Sequence, residues 1–152
     1  MKEEEEKQKI SFQTLKGMHD ILPENYLYYQ NFYDKAEEIA DYYGFKPIQT
    51  PILEKMDLFT ASIGETSDII EKQMYTLKTK GGDHLALRPE GTAPVMRSYL
   101  EHGMFTLPQP IMLWYKGSFF RHENPQKGRL REFQQFGLEI IGESKPIADV
   151  TV

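Results

Sequence analysis

The 152-residue sequence contains no cysteine, one tryptophan and no long apolar run. The lack of cysteine excludes disulfide bonds and thiolate metal sites, and it favours a reducing compartment. A membrane-spanning helix needs about 20 consecutive apolar residues, so we predict no membrane association. The opening MKEEEEKQK is charged rather than apolar, which is unlike a signal peptide. We therefore expect a cytoplasmic protein.

Strong positive charge is also lacking. The formal net charge is -5 at pH 7, and no basic stripe indicates a nucleic-acid-binding face. The four histidines are scattered without ligand spacing, so no metal site is predicted. With 39% hydrophobic residues the chain is long enough to bury one core. We predict a flexible charged tail at 1–10 and a single domain at 11–152.

Two segments rich in aromatic and β-branched residues dominate the last third of the chain. Residues 111–120 and 133–141 predict strands, and the stretch 122–131 between them contains two turn dipeptides. A parallel return would need a longer crossover, so the two strands are expected to form an antiparallel hairpin.

One face of this hairpin is expected to collect polar groups. Gln135 and Glu139 lie an even number of residues from Phe133, so all three side chains share a face. Arg121 follows the first strand. This face would therefore carry a cation, an aromatic ring, an amide and a carboxylate. Such a set could bind a phosphorylated planar base beside a small zwitterion.

The first half of the chain predicts one long helix followed by a β-rich segment. The helix opens at Asp20 or at Pro23 and Glu24, and Gly44 ends it. Its apolar residues recur at three- and four-residue steps: Tyr28, Phe32, Ala36, Ile39, Ala40 and Tyr43. The segment 45–53 is interrupted by Pro47 and Pro51, so it should lie at a sheet edge or a subunit boundary.

Shorter elements are predicted in the middle of the chain. They are a helix at 58–63 closed by Gly64, and strands at 74–77 and 84–87 around a turn at 80–83. A further helix has Thr92 as its N-cap and runs to about 102–103. The fold class is α+β, with a mainly antiparallel sheet flanked by helices.

Three segments, in order, resemble the histidyl-tRNA synthetases, a family of class II aminoacyl-tRNA synthetases. KGMHDILPEN is similar to the opening of these enzymes, LALRPEGTAPVMR to their histidine-binding segment, and FRHENPQKGRLREFQQFGLEIIG to their motif 2. The resemblance implies motif 1 at about 24–54 and motif 2 at about 111–142, in a mixed, mainly antiparallel sheet. It also implies that the chain stops before motif 3 and is inactive alone.

The implied activity is histidine–tRNA ligation. Histidine and Mg²⁺-ATP give histidyl-adenylate, which then acylates tRNA(His). The resemblance makes Arg121 the catalytic residue that bridges the ATP α-phosphate and the histidine carboxylate. It adds Glu123, Arg129 and Phe133 as ATP-binding residues. From the residues alone, Arg121 could instead pair with Glu123 on the surface, and Phe133 could simply fill the core. Arg131 is left unassigned.

The same resemblance implies the histidine-binding residues. Glu90, Thr92 and Gln135 would contact the amino group, Gln135 would also reach the carboxylate, and Glu139 would face the imidazole. Two plainer interpretations stay open. Glu90 could interact with the dipole of the following helix, and Glu139 could be an exposed strand residue.

Two questions on the whole molecule also depend on the resemblance. Motif 1 implies a homodimer interface, but the amphipathic helix could equally pack on its own sheet. A non-catalytic alternative is the regulatory paralogue of ATP phosphoribosyltransferase, from histidine biosynthesis. That paralogue should lack ATP-contacting loop residues, whereas Arg121, Glu123, Arg129 and Phe133 are all present.

Overall fold

The computed structural model describes residues 12–64, 70, 73–124 and 126–152. The charged tail predicted at 1–10 lies outside the described residues. The elements in chain order are α1 (Pro23–Tyr42), β1 (Lys46–Pro47), β2 (Leu53–Lys55), α2 (Met56–Ile63), β3 (Thr76–Lys78), β4 (His84–Leu87), α3 (Thr92–Glu101), a short 3₁₀ turn (Met104–Thr106), β5 (Ile111–Phe120), β6 (Glu132–Ile141) and α4 (Ile147–Thr151).

The predicted hairpin is the longest strand pair, and it is confirmed. β5 and β6 pair antiparallel over ten positions, with Leu113 opposite Glu139, Gly117 opposite Gln135, and Phe119 opposite Phe133. β1 runs parallel to β5 and forms the edge of the order β1-β5-β6. The sheet is therefore mixed and mainly antiparallel, and the edge position predicted from Pro47 is confirmed.

Helix α1 covers one face of this sheet and ends as the sequence predicts. Gly44 has φ +86°, and the amide of Phe45 donates to the carbonyl of Ala40 at 3.0 Å, which is the Schellman arrangement. Ala40 and Phe45 are buried against Trp114. The Trp114 indole also donates to the Asp41 carboxylate at 3.2 Å, which ties the end of the helix to β5.

Most of the predicted apolar stripe on α1, however, is exposed. Tyr28 is 75% exposed and Phe32 is 61% exposed, and Ile39 and Tyr43 are at least half exposed. A contiguous exposed apolar patch is typical of an interaction surface, and the homodimer interface predicted from the sequence stays a prediction.

The second sheet has the order β2-β4-β3, and both of its strand pairs are antiparallel. β3 begins two residues later than predicted, and α2 begins two residues earlier. Phe59 of α2 and Ala93 of α3 are buried against Ala86 of β4, so the two helices cover this sheet. In the described part of the chain, no helix combines the length and the apolar character needed to cross a membrane.

Candidate functional site

The first functional group lies where β5 ends. Nε of Arg121 donates a hydrogen bond to the carbonyl of Pro89 at 2.9 Å. The guanidinium carbon lies 5.3 Å from the centre of the Phe133 ring, which is a cation–π distance. No described residue accepts a hydrogen bond from either Nη atom of Arg121. The side chain is thus anchored at one edge and offers its outer fork to an anion.

The alternative predicted for Arg121, an ion pair with Glu123, is not the pair that forms, because Glu123 pairs with Arg129 instead. Glu123 lies 3.8 Å from Arg129, whose side chain is exposed. Such an ion pair stabilises little in water, so a phosphate could displace it at small cost. Arg131 donates from Nε to the Glu123 carbonyl at 3.1 Å, and its amide donates to the carbonyl of Gly17 at 2.7 Å. Arg131 therefore holds the loop against the lead-in segment.

Phe133 serves the core and the site surface together. Its ring lies 6.2 Å from that of Phe119, and it packs against the buried cluster that includes Tyr115. Its side chain is only partly buried, and the guanidinium of Arg121 lies above the ring. Packing in the core thus explains the buried part of the Phe133 side chain. Its role in binding adenine stays a prediction.

The prediction that Thr92 is the N-cap of α3 is wrong by one residue. Thr92 is the first helical residue, and Gly91 occupies the N-cap position. The Glu90 carboxylate accepts from the amides of Thr92 at 2.6 Å and Ala93 at 2.9 Å. A carboxylate satisfies these helix N–H groups better than a hydroxyl, because its charge also complements the helix dipole. The Thr92 hydroxyl is then free to donate to Oε1 of Glu139 at 2.8 Å.

Two carboxylates therefore share one small region. Burial raises the pKa of Glu139, and the negative charge of Glu90 raises it further, while hydrogen bonds from Thr92 and Tyr115 lower it. A ligand that brings an ammonium group or an N–H donor would relieve both the burial and the repulsion. The region is suited to a cationic ligand.

Tyr115, which sequence reasoning missed, lies at the centre of this region. It is 5% exposed and pairs with Gly137 across the hairpin. Its hydroxyl lies 3.5 Å from Nε2 of Gln135 and 3.5 Å from Oε1 of Glu139. Burial, followed by the charges of Glu139 and Glu90, raises the pKa of Tyr115 to about 12. The alternation of side chains along β5 could have identified Tyr115, because it places Tyr115 on the face of the hairpin that carries Gln135 and Glu139.

Two glycines make room for the Tyr115 ring. A Cβ atom on either Gly91 or Gly137 would overlap the ring. The ring therefore fills the space between the N-terminus of α3 and β6. Neither glycine has a positive φ angle, so close approach, rather than backbone conformation, explains the residue type.

Arg88 is a second residue that sequence reasoning missed, and it positions the segment that carries Glu90. It is 5% exposed and donates to the carbonyls of Thr50 at 2.9 Å and Ser118 at 3.0 Å. Its guanidinium carbon also lies 4.4 Å from the centre of the Phe119 ring. These contacts tie the end of β4 to β5, so Pro89 and Glu90 are held beside the hairpin.

All eight predicted site residues lie on the hairpin or beside it, in three groups. Tyr115 is surrounded by the four residues predicted to bind histidine, which are Glu90, Thr92, Gln135 and Glu139. Arg121 contacts Phe133. Glu123 pairs with Arg129 in the loop. Strands rise about 3.4 Å per residue, so Phe133 and Glu139 lie roughly 20 Å apart. Gln135 lies between Phe133 and Glu139 on β6. Within the described residues, no cluster of three or more His, Asp or Glu side chains could hold a metal ion by itself.

Comparison with known proteins gives consistent matches. Residues 17–152 match the family described as Histidyl-tRNA synthetase. The histidine–tRNA ligase of Dehalococcoides mccartyi is 48% identical over 141 residues, which cover 93% of this chain and 34% of that protein. That of Geobacillus thermodenitrificans is 45% identical over 144 residues, covering 94% of this chain and 34% of that protein. The chain thus spans about a third of the length of these relatives.

Solved structures agree with these matches. Apo S. aureus histidyl-tRNA synthetase superposes with a TM-score of 0.77 at 39% identity, covering 93% of this chain and 32% of that one. A Bacillus halodurans protein named as an ATP phosphoribosyltransferase regulatory subunit/histidyl-tRNA synthetase also gives a TM-score of 0.77, at 32% identity, covering 93% of this chain and 35% of that one. The chain belongs to the histidyl-tRNA synthetase family.

Proposed function

We propose that this chain forms the ATP- and histidine-binding part of a histidine–tRNA ligase. One observation carries the proposal: beside one face of the hairpin lies an anchored arginine whose outer fork no described residue accepts from, followed by a pair of partly buried carboxylates. The arginine suits a phosphate, and the carboxylates suit the ammonium and imidazole groups of histidine. Family membership supports the same substrates, with tRNA(His) as the acceptor and the cytoplasm as the location.

The proposed chemistry needs no strong base. A histidine carboxylate oxygen attacks the α-phosphorus of ATP, the new P–O bond forms the adenylate, and the bond to pyrophosphate breaks. Arg121 contacts the carboxylate and the α-phosphate together, so it orients the two reactants and stabilises the charge that develops. Glu123 and Arg129 would separate from each other to bind ATP.

Mg²⁺ enters this scheme with its substrate. Mg²⁺ is usually bound through phosphate oxygens and one or two carboxylates rather than by an all-protein cage. It would neutralise charge on the ATP phosphates.

Histidine-dependent exchange of pyrophosphate into ATP tests the function in the full-length protein. We expect exchange with histidine and none with other amino acids. Exchange with a different amino acid, or no exchange at all, would contradict the proposal. The regulatory paralogue is the competing function, because the Bacillus halodurans structure carries both names. A protein of that kind would bind histidine without exchange.

Replacing Phe133 by leucine is expected to raise the KM for ATP roughly five- to a hundredfold, since stacking of a base on an aromatic ring contributes about 1–3 kcal/mol. Leucine keeps the apolar contact with Phe119 but loses the flat face. The KM for histidine should hardly change. Phe136→Leu is the matched control, because Phe136 stacks on Trp114 on the opposite face of the same strand. An unchanged KM for ATP in Phe133→Leu would exclude adenine stacking on this ring.

We also propose that the exposed stripe of α1 forms a homodimer interface. Replacing Phe32, which is 61% exposed, by glutamate should convert a dimer into monomers, because a charge would be buried against apolar surface. Sedimentation of the full-length protein at micromolar concentration measures this. Lys145→Glu, an exposed substitution after β6, should leave the dimer intact. Monomeric wild-type protein would contradict the proposal.

A further inference from the structure

The hydroxyl of Tyr115 contacts two of the residues that the proposed function assigns to histidine. It lies 3.5 Å from Nε2 of Gln135 and 3.5 Å from Oε1 of Glu139. A phenol has one O–H donor. Because the Gln135 amide nitrogen can only donate, the hydroxyl accepts from Gln135 and donates to Glu139.

This direction of hydrogen bonding orients the Gln135 amide. With Nε2 turned toward Tyr115, its carbonyl oxygen Oε1 points elsewhere. No described residue donates a hydrogen bond to Oε1 of Gln135. The neighbouring glutamine on β6, Gln134, differs, because its Oε1 accepts from the hydroxyl of Tyr33. Oε1 of Gln135 is therefore available as an acceptor for an ammonium group.

The same hydroxyl shares one carboxylate oxygen of Glu139 with Thr92. Thr92 donates to Oε1 at 2.8 Å, and Tyr115 approaches the same oxygen. No described residue donates a hydrogen bond to Oε2 of Glu139. Two donors on one oxygen leave the other with its acceptor capacity for an N–H group of the ligand.

We infer that Tyr115 is a positioning residue of the histidine pocket, which orients Gln135 and Glu139 so that one oxygen of each faces the substrate. This inference rests on the proposed function. The ring is confined between Gly91 and Gly137, where any Cβ would overlap it, so the hydroxyl has a defined place. The two contacts of 3.5 Å are at the long end of the hydrogen-bond range, and they are expected to shorten when substrate binds.

The substitution Tyr115→Phe removes only the hydroxyl and keeps the ring between the two glycines. In pyrophosphate exchange with the full-length protein, we expect the KM for histidine to rise about tenfold, with kcat and the KM for ATP nearly unchanged. Tyr99→Phe is the matched control. Tyr99 is 8% exposed, and its hydroxyl contacts Gln109 instead of the site. The control should leave all three parameters at their wild-type values.

A double-mutant cycle separates positioning from general loosening of the fold. If Tyr115 acts through Glu139, Tyr115→Phe should raise the KM much less when Glu139→Gln is already present. Tyr99→Phe should combine with Glu139→Gln additively. Additive effects of Tyr115→Phe and Glu139→Gln, or an unchanged KM in Tyr115→Phe, would overturn the inference while the ligase function stands.

A second measurement needs no substrate. The groups that face Glu139 are Glu90, Thr92 and Tyr115, and the bond from Tyr115 lowers the pKa of Glu139. Carbon-13 NMR titration should therefore find this pKa higher in Tyr115→Phe than in the wild type, and unchanged in Tyr99→Phe. An unchanged pKa in Tyr115→Phe would overturn the inference even if exchange proceeds normally. If wild-type protein shows no exchange, the ligase proposal fails and the titration alone decides the positioning.

Discussion

Replacing Arg121 by alanine is expected to slow adenylate formation about 10²–10³-fold, which is the usual effect of removing one group that stabilises charge in a transition state. Arg121 is anchored to the Pro89 carbonyl and lies over Phe133, so its fork is already oriented before substrate binds. Its interaction strengthens as charge develops on the α-phosphate, so the loss should appear mainly in kcat. Exchange measured at saturating ATP and histidine gives this rate.

Lys127→Ala is a suitable control for Arg121→Ala. Lys127 is an exposed cation of the same loop with no assigned role, so its removal should change the rate less than twofold. Arg121→Lys keeps the charge but loses the planar fork, and it should recover only part of the rate. A rate in Arg121→Ala within a few-fold of the wild type would show that this residue does not contact the reacting groups.

The second large effect is expected for Glu139→Ala, with a rise in the KM for histidine of roughly ten- to a hundredfold. A hydrogen bond to a charged group is worth about 1.5–3 kcal/mol. The substitution also leaves the hydroxyls of Thr92 and Tyr115 without their acceptor. The KM for ATP should stay close to its wild-type value, because Arg121 and Phe133 lie at the other end of the hairpin. Exchange with histidine varied at fixed ATP measures the effect.

Glu132→Ala controls for loss of a carboxylate from the same strand. Glu132 lies seven residues before Glu139 and therefore on the opposite face of β6. Its removal should not alter the histidine dependence. If Glu139→Ala also left that dependence unchanged, this face of the hairpin would not recognise imidazole, and the assignment of the pocket would fail even with a functioning ligase.

The two largest effects should separate because of the geometry of the strands. Arg121 acts at the loop end of the hairpin, whereas Glu139 lies about 20 Å along β6 from Phe133. Gln135 and Tyr115 lie between them. Substitution of Arg121 should therefore lower kcat, whereas substitution of Glu139 should raise the KM for histidine.

Elements governed by local chemistry were predictable from the sequence. The hairpin follows from two β-rich segments and a polar loop too short for a crossover, and the period of two determines which of its residues share a face. Helix α1 follows from Pro23 at its start and from Gly44, whose positive φ permits the Schellman ending. The shared face of Phe133, Gln135 and Glu139 needed no information beyond their spacing.

Contacts between residues distant in sequence were decided only by the tertiary structure. Thr92 has the residue type of an N-cap, but Glu90 reaches the same amides with a carboxylate, and Thr92 then donates to Glu139, 47 positions away. The periodicity of α1 predicts an apolar stripe, yet not whether the stripe meets its own sheet or a partner surface. Tyr115 looks like an ordinary strand residue until Gly91 and Gly137 approach it from two different elements. Local spacing determines which face a side chain occupies, but only the packing of distant segments determines what that face meets.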